Sequence, residues 1–473
     1  YSAEIRSVSE DSSKPIRTTA VKMVAPSARL SNKQIVVTVP NVKKEMPLFI
    51  VMRALGVESD LSIIKYCLLD IEKNSSYMEY FIPSIHDANK IFNQQTALEY
   101  IATFTKRGTV SSVIEILSDY FLPHIGELNY LDKAYYLGHM TFSLLQVSTN
   151  EKQPTDRDNF RFKRVELTGK LVYDLFREYF LIQNKEIAKK IDEEYYYHKG
   201  EYKDNSLDKK ETKKQSTRPK EIDKYKNNFT SLIESNFKNF FKDRTVENGF
   251  KKAFKGNWGS QTYTKRLGVV QDLNRLSWNS FISHVRKINL PLDSNAKVVG
   301  PRLLNGSQWG FIDPIDTPDG GNIGLHKHLA ISTSITSGVS SEEIINWLRI
   351  NSPIKLLSES SPEYISNTTK IFVNGNWIGT IDNPIELVNE MRLYRRNGII
   401  SVHTSIAFYN ESNEIFIYTD AGRMVRPIYY VVNEEPSFNR KEIIDKIENQ
   451  TINWELLVSG TKQKPSDYNY KKN

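Results

Sequence analysis

Three aspartates at intervals of three residues form the clearest set of candidate ligands in the chain. Asp313, Asp316 and Asp319 lie in the stretch WGFIDPIDTPDGGNIGLHKHLA, where glycines follow them. Carboxylates in a loop could bind a divalent cation, and neighbouring glycines could cradle a phosphate. A third alternative is a rigid turn that positions other parts of the molecule.

The spacing excludes the first two alternatives. A calcium loop of the EF-hand type has ligands two residues apart and a glutamate at its twelfth position, whereas the twelfth residue from Asp313 is Gly324. The glycines do not form GxGxxG, and no GxxxxGK[ST] motif occurs in the chain. Because Pro314 and Pro318 fix the backbone and short carboxylates can cap nearby N–H groups, the sequence predicts a rigid turn.

Other candidate ligands give no active site either. His326 and His328 are two residues apart, so on a strand they would point to opposite faces. Asp156 and Asp158 could bind a metal, or they could cap the backbone and form a salt bridge near a helix start, which is the commoner use. The single cysteine, Cys67, excludes an internal disulfide and a cysteine-based zinc site. Since no nucleophile–base–acid set is present either, we expect no catalytic residue and no metal site in this chain.

Composition is typical of a multi-domain globular protein. The chain has 473 residues, of which 39% are hydrophobic and 25% charged, with a net charge of +8. The most apolar segment, residues 47–57, is interrupted by Arg53 and is too short to cross a membrane, so it predicts a buried helix. One cysteine indicates a reducing compartment. The chain begins at Tyr1 without a signal-peptide pattern, which predicts a piece of a longer protein.

Hydrophobic periodicity predicts an α+β protein that is helix-rich in its first part. Residues 33–40 are typical of a strand, whereas residues 46–146 and 167–192 show helical spacing. The Asn-Gly in TKIFVNGNWIGTI predicts a hairpin, followed by short strands up to residue 432. One helix is expected between those strands, over residues 384–395.

Two lysine-rich segments could contact nucleic acid. Residues 198–228 have almost no aliphatic side chains, which predicts a mobile solvated loop or, alternatively, a nucleic-acid-binding tail. Residues 237–266 alternate basic and aromatic side chains. That pattern fits a helix facing phosphates, but an ordinary amphipathic helix explains it equally well.

The aspartate stretch and several other motifs resemble the second-largest subunit of multisubunit DNA-directed RNA polymerases, in the archaeal–eukaryotic branch. WGFIDPIDTPDGGNIGL is similar to that family's WG…CP.ETPEG..GL signature. Asp316 and Asp319 stand where the signature has glutamates, and Asp313 where it has cysteine, so the hydrogen bonds within the loop must differ. Further similar stretches, in the same order along the chain, are AEIRS, MPLFIVMRALG, TALEYIA, FLPHI, DRDNFRFKRVELTG, FKGNWG, LNRLSWNSFISHVRKINLP, IFVNGNWIG and TDAGRMVRPIYYV.

The resemblance implies a multi-domain α+β fold with a helix-rich front and a β-rich external domain. The implied domains are a lobe at 1–165, part of a protrusion at 166–255 with the mobile basic loop near 198–228, a fork at 256–340, a first external domain at 341–432 and the start of a second at 433–473. It also implies that six residues form a structural fork loop near the active centre. These are Asp313, Asp316, Thr317, Pro318, Asp319 and Gly320.

The resemblance further implies a component of a nucleotidyltransferase that is inactive alone. Magnesium would be held by the largest subunit, and zinc by a segment absent from this chain. The implied partners are the largest and other polymerase subunits, the DNA template and the RNA transcript, with no membrane. The expected location is the nucleus, or the host cytoplasm or virion if the source is a large DNA virus.

Seven fork residues align with positions that face the hybrid and the transcription bubble in this family. They are Gln271, Asn274, His284, Arg286, Lys287, Lys297 and Arg302. Some of them could instead pair with aspartates of a partner subunit. Residues 291–302 are similar to the second fork loop, where the downstream DNA strands separate. The competing hypothesis is an autonomous nucleic-acid-binding module without polymerase activity.

Overall fold

The computed structural model describes residues 1–10, 16–25, 33–199, 229–262, 264–428, 431–432, 434–436 and 441–451. The α+β class predicted from the sequence is confirmed. Two units are distinguished by their internal contacts. The first comprises Tyr1–Arg164, Leu304–Phe311 and Ala330–Asn473, and the second comprises Val165–Leu303 and Ile312–Leu329. The domain boundaries that the resemblance implies stay predictions.

The elements of the described residues are numbered in chain order. The strands are β1 Ser2–Ser7, β2 Arg17–Val24, β3 Gln34–Thr38, β4 Met46–Pro47, β5 Lys287–Asn289, β6 His326–His328, β7 Ser334–Ile335, β8 Lys355–Leu356, β9 Thr369–Val373, β10 Asn376–Ile381, β11 Ser405–Tyr409, β12 Glu414–Tyr418, β13 Met424–Val425, β14 Val431–Val432 and β15 Glu435–Pro436. The helices are α1 Leu48–Ala54, α2 Asp60–Leu68, α3 Ile82–Asp87, α4 Gln94–Ala102, α5 Val110–Glu115, α6 Tyr130–Ser148, α7 Thr168–Lys199, α8 Phe229–Phe240, α9 Thr245–Phe254, α10 Trp278–Val285, α11 Glu342–Asn351, α12 Pro362–Asn367, α13 Pro384–Arg396 and α14 Lys441–Glu448.

The first unit begins with a four-stranded antiparallel sheet, β1-β2-β3-β4, packed against α1 to α6. The predicted strand at 33–40 is β3, and the predicted buried helix is α1, all of whose residues are buried. Its Arg53 is tolerated because the guanidinium donates to the carbonyl oxygens of Glu58, Ala88 and Ile91 and pairs with Asp60. A buried charge needs such partners.

A five-stranded sheet in the order β11-β12-β9-β10-β8 completes the first unit. The predicted hairpin is confirmed. Asn374 and Gly375 both have positive φ, 49° and 85°, as a tight turn between β9 and β10 requires. The pairing of β12 with β9 is parallel, which the sequence did not predict. The predicted helix at 384–395 is α13. The strand expected to reach residue 432 is only partly described, because residues 429 and 430 lie outside the described ranges.

The second unit has a small core of its own between α7 and α9. Leu175 and Tyr179 of α7 pack against Ala253 and Trp258. A Cβ at Gly249 of α9 would lie 2.5 Å from the Tyr179 ring, so only glycine permits this approach. The predicted helical block at 167–192 is α7.

The two lysine-rich segments have different outcomes. The stretch 237–266 contains the end of α8, the whole of α9 and a loop, so it is not one continuous helix. Most of the predicted mobile basic loop, residues 200–228, lies outside the described residues. Within the part of the chain that the structure describes, no helix is both long and apolar enough to span a bilayer.

Candidate nucleic-acid interface

A helix and a short strand place the basic pair Arg286–Lys287 in the second unit. Helix α10 is capped at its N-terminus by Ser277, whose side chain accepts a hydrogen bond from the Ser280 N–H at 3.1 Å. The helix ends just before Arg286, and β5 follows directly. Strand β5 pairs antiparallel with β6, so that Lys287 lies opposite His328. The segment around Lys287 and the end of the aspartate stretch, some 40 residues apart in sequence, are therefore neighbours in one ladder.

The first aspartate of the loop closes a turn with its own backbone. Oδ1 of Asp313 accepts hydrogen bonds from the N–H groups of Ile315 at 2.9 Å and of Asp316 at 3.2 Å. The Asp313 N–H donates to the His328 carbonyl oxygen at 2.8 Å. This carboxylate is thus used to shape the turn that Pro314 stiffens.

The second aspartate connects three elements. Ser283 of α10 donates its hydroxyl hydrogen to Oδ2 of Asp316. The Asp316 carbonyl oxygen accepts from Nδ1 of His328 at 2.8 Å. Because a carbonyl oxygen can only accept, His328 carries a proton on Nδ1, which also lies 3.4 Å from Oδ1 of Asp316. Asp316 therefore holds the loop against both α10 and β6.

The rest of the loop is closed by a threonine hydroxyl. Oγ1 of Thr317 donates to the His326 carbonyl oxygen at 3.0 Å and accepts from the Gly324 N–H at 2.9 Å. Beyond Pro318, the Asp319 carboxylate is exposed, and no described residue donates to it. Gly320 has a φ of 72° and starts a short 3₁₀ turn. Of the three aspartates, only Asp319 presents its carboxylate without an internal partner among the described residues.

Arg302 joins residues 294–296 to the glycine turn at residues 320–324. Its Nη1 donates to the carbonyl oxygens of Gly321 at 2.6 Å and Ile323 at 3.0 Å. Its Nη2 donates to those of Ser294 at 2.9 Å and Ala296 at 3.3 Å. Four carbonyl groups around one planar guanidinium match the fixed geometry of arginine. Phosphate contact by Arg302 stays a prediction, and this geometry favours a positioning role.

Three of the predicted nucleic-acid residues form a single network. Nδ1 of His284 accepts from the Asn274 N–H at 3.0 Å. The proton of the neutral ring is then on Nε2, which lies 3.0 Å from Oε1 of Gln271 and donates to it. Nε2 of Gln271 donates in turn to the Gly268 carbonyl oxygen at 2.7 Å. The network presents a defined polar surface beside α10.

The remaining three predicted residues are basic. Nε of Arg286 donates to the Leu329 carbonyl oxygen at 3.2 Å, so part of this guanidinium holds the backbone. Lys287 is half-buried and Lys297 is exposed, and neither forms an ion pair with a described carboxylate. Burial, followed by the charges of Lys287 and His328, lowers the pKa of His326. Of the seven predicted residues, Lys287 and Lys297 carry ammonium groups that no described carboxylate neutralises, so both are available to phosphate.

The candidate metal ligands are used in other ways. Nδ1 of His326 bonds to Oδ1 of Asn289 at 2.7 Å, whereas His328 bonds to the Asp316 backbone. Asp156, in the first unit, accepts from Asn305 at 2.6 Å and from the Asp158 N–H, and the Asn305 bond is the main cause of its lowered pKa. Asp158 forms an ion pair with Lys163 at 3.5 Å. No three His, Cys, Asp or Glu side chains among the described residues could share a metal ion.

Sequence reasoning missed the contact of Ser283 with Asp316 and the hydrogen bonds of Arg302 to four carbonyl groups. Nothing in the spacing between Ser283 and Asp316 indicates their contact, because 33 residues separate them. Arg302 was singled out by its alignment with a position of the resembled family, whereas its four carbonyl partners depend on how two loops approach each other. Only the glycines of the aspartate stretch could have indicated that another backbone passes close by.

Comparison with known proteins identifies the family. Three family models match successive stretches of the chain: "RNA polymerase Rpb2, domain 2" at residues 15–166, "domain 3" at 271–335 and "domain 4" at 371–432. The aspartate loop, Arg302 and the basic pair all fall within the second match. The network of Gln271, Asn274 and His284 falls there too.

Curated relatives agree with the family models. The chain is 32% identical to DNA-directed RNA polymerase II subunit RPB2 of Schizosaccharomyces pombe over 94% of its length, and 32% identical to subunit 2 of the Arabidopsis thaliana enzyme over 94%. It is 27% identical to subunit Rpo2 of the Sulfolobus acidocaldarius RNA polymerase over 91%. It spans about a third of these relatives, covering 34%, 35% and 36% of them respectively. The chain therefore belongs to the family of second-largest subunits of DNA-directed RNA polymerases, in the branch shared by archaea and eukaryotes.

Proposed function

We propose that this chain forms part of the nucleic-acid cleft and the fork of a DNA-dependent RNA polymerase. The observation that carries the proposal is the fork region itself. One family model matches residues 271–335 of this region. Within that segment, the basic pair Arg286–Lys287 is positioned by the β5–β6 ladder, by the aspartate loop and by the contacts of Arg302. Family membership favours this function over an autonomous nucleic-acid-binding module.

The role of this chain in nucleotide transfer is positioning. One carboxylate oxygen of Asp313 and one of Asp316 already accept hydrogen bonds within the second unit, which favours a structural use of both groups. Among the described residues, no three His, Cys, Asp or Glu side chains lie close enough together to hold a metal ion. We assign magnesium to the largest subunit and zinc to a segment outside this chain. Lys287 and Lys297 would hold the phosphates of template or transcript while the partner subunit supplies the metal chemistry.

The partners that follow from this function are the largest subunit, other polymerase subunits, the DNA template and the RNA transcript. The chemistry of the fork suits both kinds of partner, since its surface combines exposed cations with exposed apolar side chains such as Leu267 and Val299. The nuclear relatives support a nuclear location, or a host compartment if the gene is viral.

Reconstitution tests the proposal. The full-length subunit, assembled with the largest subunit and the remaining subunits, should extend an RNA primer on a DNA template with magnesium. Residues 1–473 alone should incorporate no nucleotide under the same conditions. Nucleotide incorporation by the isolated chain, abolished by one substitution within it, would contradict the division of labour. Tight nucleic-acid binding by the isolated chain, together with failure of the full-length subunit to assemble, would support the autonomous module.

A further inference from the structure

We infer that Trp278 is a stacking platform for an unpaired base of the nucleic acid in the fork. This inference rests on the proposed function and adds a binding residue to it. Trp278 is the first residue of α10 and is 75% exposed, which is unusual for the largest apolar side chain. Its position in a segment rich in polar and basic groups sets it apart from an ordinary surface tryptophan.

The indole ring is held in a defined orientation. It stacks on the ring of Phe281, one helical turn further on, with centroids 5.8 Å apart and an angle of 19° between the planes. The guanidinium carbon of Arg275 lies 5.3 Å from the centroid of the same Phe281 ring. Phe281 is half-buried, so the indole rests on a supported ring while most of its own surface meets solvent. A preoriented exposed aromatic ring loses little conformational entropy when a flat ligand stacks on it.

Helix α10 has several apolar side chains, but none of them is buried in the core of the second unit. None of its residues is fully buried, although Trp278, Phe281, Ile282 and Val285 are all apolar. Something outside the described residues is therefore expected to cover this helix.

Charge and polarity favour nucleic acid as the occupant. Residues 271–287 contain Arg275, Arg286 and Lys287 against Asp272 as the single carboxylate, which gives three cations and one anion. The network of Gln271, Asn274 and His284 lies in the same segment. Aromatic rings interleaved with cations and amides are typical of surfaces that bind single-stranded nucleic acid, where bases stack and phosphates meet lysine and arginine.

Every base has a π-face, so the geometry of Trp278 does not select one strand. The contacted base could belong to the RNA transcript, the template strand or the non-template strand. Stacking also differs from the proposed phosphate contacts of Arg286 and Lys287 in its response to salt. It releases no condensed counterions, so its loss should weaken binding without changing the salt dependence.

The test uses the polymerase assembled with the full-length subunit and compares Trp278→Ala, Trp278→Phe and Leu276→Ala. Leu276 is the matched control because it is 88% exposed and apolar, lies two residues away and cannot stack. Dissociation of elongation complexes is followed across a potassium chloride series. We expect Trp278→Ala to dissociate about 5-fold to about 150-fold faster, the range for loss of one stacked base, with the wild-type salt slope. Trp278→Phe and Leu276→Ala should remain near wild type.

A second arm uses unmodified protein and changes the nucleic acid. An abasic nucleotide is moved through the RNA, template and non-template strands in turn. At one position it should reproduce the loss seen in Trp278→Ala, and it should add nothing further in that variant. The strand that shows this behaviour identifies the base.

Three outcomes would overturn the inference while leaving the proposed function intact. One is a Trp278→Ala complex as stable as wild type, and another is an equal loss in Leu276→Ala. The third is failure of Trp278→Ala to assemble with its partner subunits when no abasic position weakens the wild-type complex, which would place Trp278 against protein. Failure of the wild-type subunit to support transcription would instead contradict the proposed function itself.

Discussion

Gly324 and Arg302 approach each other so closely that a Cβ at position 324 would lie 2.3 Å from the Arg302 carbonyl oxygen. The φ of Gly324, 70°, is also one that other residues adopt at a cost. The same arginine uses its side chain to hold the neighbouring carbonyl groups of Gly321 and Ile323. The backbone of Arg302 leaves no room for a side chain at position 324, and the Arg302 guanidinium binds carbonyl groups of the same turn.

Gly324→Ala should therefore open the aspartate loop. The control is Gly320→Ala, because Gly320 has a similar φ of 72° but, apart from Gly320 and its two chain neighbours, no described residue has an atom within 4 Å of the place that its Cβ would take. Both variants bear the left-handed strain, about 1 kcal/mol or more, whereas only Gly324→Ala adds overlap with backbone, about 1–3 kcal/mol. Hydrogen exchange of residues 312–329 measures the difference. Equal exchange in the two variants would show that the close approach is unimportant.

Arg302→Lys should loosen two loops at once although it keeps the charge. One ammonium group has three donors and no planar fork, so it cannot serve four carbonyl groups in the positions seen here. We expect faster hydrogen exchange near residues 294–296 and 321–323. Lys297→Ala, which removes an exposed cation from the same loop, should leave that exchange unchanged. Wild-type protection in Arg302→Lys would mean that charge alone is sufficient.

Removal of Arg286 and Lys287 together should flatten the salt dependence of nucleic-acid binding. If both contact phosphates, the slope of log K against log salt should fall by roughly 0.7–0.9 per contact. The loss of affinity should be similar for different sequences, because phosphate contacts carry no base information. Elongation-complex stability of Arg286→Ala/Lys287→Ala across a potassium chloride series measures the slope. An unchanged slope with failed assembly would show that these side chains bond to protein.

The single variants should differ. Arg286 also donates to the Leu329 carbonyl oxygen at 3.2 Å, so Arg286→Ala should additionally speed hydrogen exchange at β5 and β6. Lys287→Ala should change only the salt slope, since no described carboxylate pairs with it. Equal exchange in both variants would argue against the backbone role of Arg286.

The first unit should lose stability as pH falls below about 6.5, the ordinary pKa of histidine. Burial is the main cause that lowers the pKa of His124 to about 4 and that of His139 to about 3. Between these values and 6.5 the unfolded chain binds more protons than the folded one, so lower pH favours unfolding. Each histidine contributes up to about 1.4 kcal/mol per pH unit in that window, and its contribution is fully present above it.

Urea unfolding of the chain at several pH values between 7.5 and 5 checks this expectation. His139→Gln should reduce the slope by one histidine's share. His86→Gln is the control, because it makes the same substitution at an exposed histidine. A slope unaffected by His139→Gln would show that this ring is not the group that titrates.

Local patterns in the sequence determined much of this protein. The periodicity of hydrophobic residues and the residues typical of turns predicted α1, β3, α7, α13 and the β9–β10 hairpin, because each of these elements depends on residues close together in the chain. The spacing of Asp313, Asp316 and Asp319 was sufficient to exclude a calcium loop, and the prolines indicated a stiff turn. Many short motifs in one order then indicated the polymerase family, which the comparisons confirm.

Only the tertiary structure decided which of the predicted site residues use their side chains for hydrogen bonds within the protein. Contacts such as Ser283–Asp316, Arg302 with four carbonyl groups, and the parallel pairing of β12 with β9 join residues far apart in sequence. Their formation depends on how separate loops and strands pack, and no local propensity encodes that. For the same reason charge alone could not distinguish Arg302, whose donors are used internally, from Lys297, which is exposed.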